Sequence, residues 1–195
     1  MAETRSDRRK PQSSREAFLR ATAELLQRQG YSATAVTEIV ARSGAPKGSL
    51  YFLFPGGKEE LAVAAMTRSG ERLRQAIVAT LDSGEDLGES LGRLVDAMSA
   101  GLEGSSFQDG CPIATVTLEA ASGSDAVRDA ADGVFATWLE ALRARLLAAG
   151  LTAEEAERRA LLVLAAIEGA LILARARRDI GPLTAVRDEL IALCG

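Results

Sequence analysis

Lys47, Gly48, Ser49, Tyr51 and Phe52 lie within one short stretch, and together they offer one kind of chemistry. A lysine suits a phosphate or a guanine edge, aromatic edges suit thymine methyls, and a glycine lets another backbone come close. Lys47 and Tyr51 are four apart, so on a helix they share a face with Gly48 and Phe52 beside them. Leu50 and Phe54, also four apart, share the inward face. An exposed Tyr-Phe pair beside a lysine is unfavourable on a free protein surface, and DNA explains it. The plain alternative is an ordinary short helix of a helical core. Lys58 joins the set as a candidate phosphate contact, because it opens a long helix whose amides favour phosphate.

Other chemistries find little support. The chain has no histidine, which removes the usual general base and zinc ligand. No carboxylate pair stands apart from the solvated faces of predicted helices, so neither an enzyme nor a cofactor is expected. Cys111 reads either as a redox sensor or as a small buried residue, and no resolving cysteine lies near it in sequence. Glu168 lies inside the apolar run 160–174, where it orients a ligand or pairs with an arginine across an interface. That run is shorter than the roughly 20 residues of a membrane span, so no membrane partner is expected. The start of the chain is polar and charged, unlike a signal peptide, and a cytoplasmic location with reduced thiols is expected.

Charge separates the chain into two parts. Residues 1–58 hold ten Lys/Arg against five Asp/Glu, and the remainder holds 13 against 22. A basic head on an acidic body suits a DNA-binding unit joined to one that does not bind DNA.

The elements that must position these residues are all helical. Ala- and Leu-rich composition, apolar spacing and stop signals predict nine helices and no strand. Residues 1–12 read as a disordered basic arm. Ser13 with Glu16 forms a capping box for a first helix that Gly30 ends. Helices follow over 36–43, 46–54 with Pro46 at its first position, and 58–81. Five more cover 86–103, 113–121, 124–149, 152–179 with a Thr152–Glu155 capping box, and 181–193. The second and third make a helix-turn-helix, the third being the recognition helix.

Residues 14–66 resemble the DNA-binding domain of the TetR family of transcriptional regulators. The likeness rests on Gly30-Tyr31, Thr34, Glu38-Ile39, Gly44, Lys47 to Tyr51, Phe54 and Lys58 to Leu61. The runs Gly44 to Tyr51 and Phe54 to Lys58, with Gly110 to Ala114 and Leu118 to Ala121, resemble the LmrA/YxaF branch. Three positions depart from the family pattern: Leu53 replaces a frequent histidine, Ala35 a capping threonine and Pro46 a serine. Thr34 or Thr37 is left to supply the cap or the phosphate contact.

The resemblance implies an all-α protein: a DNA-binding domain over 13–57 and a ligand-binding and dimerisation domain over 58–195. It implies a homodimer that represses from a palindromic operator and is released by a small apolar or aromatic effector. A regulator without an inducer is the alternative, and a helical enzyme or small-molecule carrier is the more distant one. This architecture places Met66, Met98, Phe107, Cys111, Phe135 and Trp138 around an inner cavity, with plain core packing as the other reading. Leu164, Ile167, Glu168 and Leu171, on a helix apolar around most of its circumference, are the expected dimer contacts.

Overall fold

Caps and apolar stripes cut the chain into nine helices among the residues that the computed structural model describes, 11–83 and 86–194. They are α1 (Pro11–Ala33), α2 (Val36–Ser43), α3 (Lys47–Leu53), α4 (Gly57–Leu81), α5 (Leu87–Gly104), α6 (Pro112–Ala120), α7 (Asp125–Ala148), α8 (Ala153–Arg177) and α9 (Gly181–Cys194). No strand occurs among these residues. Of the expected N-terminal arm, residues 1–10 lie outside the described residues.

Side-chain caps fix several boundaries. Asp86 accepts from the Glu89 amide at 2.7 Å, and Ser124 accepts from the Val127 amide at 3.1 Å. Thr152 and Glu155 form the reciprocal capping box at the start of α8. Elsewhere the boundaries differ from the sequence reading. Because α1 starts at Pro11, Ser13 lies within the helix, and Glu16 pairs with Arg68 of α4 instead of closing a box. Pro46 is the N-cap of α3 with extended backbone (φ −60°, ψ 131°), one position before the helix. Gly30 (φ 78°, ψ −173°) is non-helical and ends the first helical stretch of α1 as expected, and a short second stretch continues to Ala33. A side chain there would be strained, and its Cβ would sit 1.8 Å from Glu119 Oε1.

In the head, α1, α2 and α3 close on Phe18, Ile39, Leu50 and Phe54, all fully buried. The Phe18 and Phe54 rings meet edge to face with centroids 6.4 Å apart. Burying an Ile, Leu or Phe side chain is worth about 1.5–3 kcal/mol. Leu50 and Phe54 therefore set which face of α3 turns inward, and by exclusion which turns out. Gly44, left-handed at φ 61°, makes the turn between α2 and α3.

In the body, α4 packs on α7, α5 on α9, and α8 on both α7 and α9. One hydrophobic core runs without a break from the head through the body. The seam between them is also polar. The Ser32 amide donates to Glu119 of α6 at 2.8 Å, and the Gly110 amide donates to the Gln27 carbonyl at 3.2 Å. Arg28 donates to Gln108 Oε1 at 2.6 and 2.9 Å, and Arg175 of α8 donates to the Arg28 carbonyl at 3.1 Å.

Candidate nucleic-acid interface and body cavity

The outward face of α3 is apolar and open. Tyr51 is 57% exposed and Phe52 79% exposed, while Lys47 stands in solvent and forms no ion pair with a described residue. Gly48 is the most telling position. A Cβ built there would meet no atom within 4 Å, and its backbone is ordinary helix, so nothing inside the protein requires glycine. Glycine in a helix interior costs about 0.8–1.0 kcal/mol relative to alanine, and Gly48, in the first turn of α3, carries part of that cost. Its advantage must lie with something that approaches α3 from outside.

The other expected contacts divide. Thr37 is exposed on the first turn of α2. The N-cap there, Ala35, makes no side-chain cap bond, so amides of that turn are left without a side-chain partner. Thr34, expected to cap α2 or meet phosphate, does neither. It is buried, and its hydroxyl donates to the Gly30 carbonyl at 2.6 Å, closing the kink. The Ser49 hydroxyl turns back to the Pro46 carbonyl at 2.6 Å. Lys58 lies over the Tyr31 ring with Nζ 4.3 Å from its centroid. Burial lowers the Lys58 pKa, and Glu119 opposes this. Burial, and next the charge of Glu59, raises that of Tyr31. Sequence reasoning missed the Lys58–Tyr31–Glu119 group because its members come from α4, α1 and α6.

The expected pocket residues do not converge. Met98 and Cys111 line a cavity of about 380 Å³, together with Leu73, Leu94, Asp109 and Glu168 among others. Met66 and Trp138 belong to the core instead. The Trp138 indole nitrogen donates to the Gly70 carbonyl at 2.9 Å, and Phe135 packs edge to face against it at 5.5 Å. Trp138 is thus bonded to α4, and neither ring lines the cavity. Phe107 sits in the α5–α6 loop at φ 60°, packed against the core.

Glu168, expected at a subunit interface, points into the body. It lines the cavity, burial raises its pKa, and Oε2 has no hydrogen-bond partner among the described residues. The Cys111 thiol lies beside its carboxyl group on the same cavity wall. Burial first, then the Glu168 charge, raises the Cys111 pKa far above its ordinary value. A thiol held protonated is a poor nucleophile, which disfavours the redox-sensor reading. Among the described residues, no group of three or more His, Cys, Asp or Glu is arranged to hold a metal ion.

A third surface is the outer side of α8. Leu161, Leu162, Ile172 and Leu173 are exposed there, with Leu193 of α9. Ile167 is buried, and Leu164 and Leu171 pack partly buried against the core. The expected interface set thus faces inward. Because α8 is apolar nearly all round, spacing could not tell its two sides apart. No helix among the described residues is long and apolar enough to cross a membrane.

Comparison with known proteins agrees with this geometry. Residues 18–65 match the family described as bacterial regulatory proteins, tetR family. Residues 88–189 match the C-terminal domain described as transcriptional regulator LmrA/YxaF-like. The chain is 36% identical over 184 residues to the uncharacterized HTH-type transcriptional regulator Rv0196 of Mycobacterium tuberculosis (strain ATCC 25618 / H37Rv), covering 92% of this chain and 93% of the relative. It is 32% identical over 170 residues to the HTH-type transcriptional regulator LmrA of Bacillus subtilis (strain 168), covering 87% and 90%. Its fold is similar to that of a TetR transcriptional regulator from Legionella pneumophila, with a TM-score of 0.82 at 22% identity across 100% of both chains.

Proposed function

Because this chain belongs to the tetR family of bacterial regulatory proteins, in its LmrA/YxaF-like branch, we propose that it is a ligand-responsive repressor that binds a palindromic operator as a homodimer. It is a transcriptional regulator and not an enzyme. The observation that carries the DNA-binding part is the outward face of α3. There Tyr51 and Phe52 stand in solvent beside Lys47 and an unobstructed Gly48. In a major groove, the rings meet thymine methyls while Lys47 meets phosphate or guanine. Thr37 and the open first turn of α2 suit a second phosphate, as helix N-termini do. The cytoplasm is the compartment where such a regulator works.

The dimer follows from the outer side of α8. Leu162 and Ile172 lie on a continuous apolar strip, and Gly169 between them leaves open space for a neighbouring helix. Pairing with a symmetry mate buries the strip, as two-fold interfaces do. Ligand response is supported by the position of the cavity. Gln27 of α1 and Gly110 both line it, and the Gly110 amide holds the Gln27 carbonyl. A ligand that displaces this wall moves α1, and with it the head.

A mobility-shift titration on a short palindrome, repeated across salt concentrations, tests the reading. Binding with a steep negative salt slope is expected. Weak, salt-insensitive binding overturns it. Leu162→Arg leaves the subunit folded, since that side chain is exposed, and sediments as a monomer. A wild type that is itself monomeric at micromolar concentration refutes the dimer.

A further inference from the structure

The body conceals a charge that its own fold does not use. Glu168 comes from the apolar helix α8, and its Oε2 is fully buried without a hydrogen-bond partner among the described residues. An ionised carboxylate in such a place is costly unless something pairs with it. The Cys111 thiol beside it is at most a weak donor. Arg175, two turns along α8, lines a neighbouring groove of about 430 Å³ together with Glu168, but it forms no ion pair with Glu168 and donates to the Arg28 carbonyl. No Lys or Arg lines the 380 Å³ cavity, and a second carboxylate, Asp109, does. The walls between them are aliphatic, chiefly Leu73, Leu94, Leu102 and Leu171, with Met98.

We propose that this cavity takes an apolar compound bearing a protonated amine, and that Glu168 is the group that binds the amine. Paired charges are tolerated where a single one is not, and a charge-assisted hydrogen bond from an ammonium is about twice as strong as a neutral one. A bare metal ion fits the chemistry less well. The walls offer it aliphatic carbon, and no cluster of three acidic, Cys or His ligands is present among the described residues. The volume suits one or two fused rings. The groove of about 670 Å³ between α4 and α7 is larger, but apart from Asp82 its charged side chains are already engaged. Glu140 pairs with Arg143, Arg74 with Glu71, and Arg145 donates to the Leu81 carbonyl. This inference rests on the reading of the body as the ligand-binding part of the regulator.

Three naphthalenes of matched size test it on the full-length protein by isothermal calorimetry: 1-naphthylmethylamine, neutral 1-ethylnaphthalene and anionic 1-naphthylacetate. The amine is expected to bind wild type at least about tenfold more tightly than the neutral compound, and the anion most weakly. In Glu168→Gln the amine's advantage falls to within about threefold, while the neutral compound keeps its affinity. Gly101→Phe places a ring at the cavity in a position where a Cβ meets nothing, and it weakens both. Equal binding of amine and neutral compound by wild type overturns the proposal. So does an amine preference that survives in Glu168→Gln, or uptake of none of the three. If Glu168→Gln does not fold, the wild-type ranking decides alone. A parallel DNA titration separates the two readings. Amine binding with this preference but unchanged operator affinity keeps the Glu168 site and removes the effector role. Release of DNA by the neutral compound as readily as by the amine overturns the site.

Discussion

The head and the body each break a rule of folding, in opposite directions. On α3 the protein holds two aromatic rings in water, Tyr51 and Phe52. In the body it holds one oxygen of Glu168, Oε2, out of water without a hydrogen-bond partner among the described residues. Neither arrangement helps the isolated chain. The first leaves apolar surface hydrated, and the second removes a polar group from solvent without full hydrogen bonding. Each makes sense once a partner of complementary character arrives: a polyanion with methyl groups in a groove, or an apolar body with a charged end. Departures from folding rules therefore mark the two proposed contact regions more sharply than the core, which obeys them.

Breaking the head side gives the largest effect. Tyr51→Ala should cost about 1–3 kcal/mol of operator affinity per half-site and leave the helical circular dichroism spectrum unchanged. Unchanged affinity in a folded variant would mean that the exposed ring serves something other than DNA. Lys47→Ala should weaken binding with less dependence on sequence. Its log-log salt plot should be shallower by about one unit for each phosphate that the lysine no longer neutralises. A preserved slope argues for a base contact instead.

Gly48→Ala sharpens the comparison, because fold and function should move apart. With open space around that Cβ, thermal unfolding should show up to about 1 kcal/mol of added stability while operator affinity drops. A variant that gains stability and binds DNA as before would show that α3 does not meet a close backbone there.

The smallest effect belongs to the body. Burial raises the Glu168 pKa above its ordinary value of 4.5. Stability linked to the protonated form is complete below that ordinary value and is lost as pH rises through the raised one. Glu168→Gln, which cannot ionise, should match wild type at low pH. At neutral pH it should melt higher than wild type in the absence of ligand. The groups around the carboxyl are the Cys111 thiol and Asp109 at the cavity, with Glu119 of α6 and Arg175 in the neighbouring groove that Glu168 also lines, where Arg175 donates to the Arg28 carbonyl. A gap between the two proteins that does not change with pH would place the Glu168 effect in packing rather than charge.

The same contrast explains what could be read from the sequence. The α3 face was legible because it is built from one short segment. Once Leu50 and Phe54 point inward, helical geometry sends Lys47, Gly48, Tyr51 and Phe52 outward. The cavity was not, since Gln27, Leu73, Met98, Cys111 and Glu168 come from five separate elements or their caps. Aromatic residues were weak guides to it. Trp138 and Phe135 supply the area that a core needs, and α7 presents that side to α4. Thr34 illustrates a different limit. Its position before α2 suggested a cap, but the kink at Gly30 placed a carbonyl within reach of its hydroxyl first.

The placement of Trp138 also makes the chain its own spectroscopic instrument. Both tyrosines, Tyr31 and Tyr51, lie in the head, and the single tryptophan lies in the body with its indole nitrogen bonded to Gly70. Ultraviolet signals from the two ring types thus come from separate parts of one molecule, with no label attached. A chemical melt followed in both channels shows whether the continuous core makes head and body unfold together or lets the head open first. Since the indole is buried away from the cavity, its emission follows the integrity of the α4–α7 junction, so a ligand-dependent change there signals movement of the body rather than contact with the bound compound.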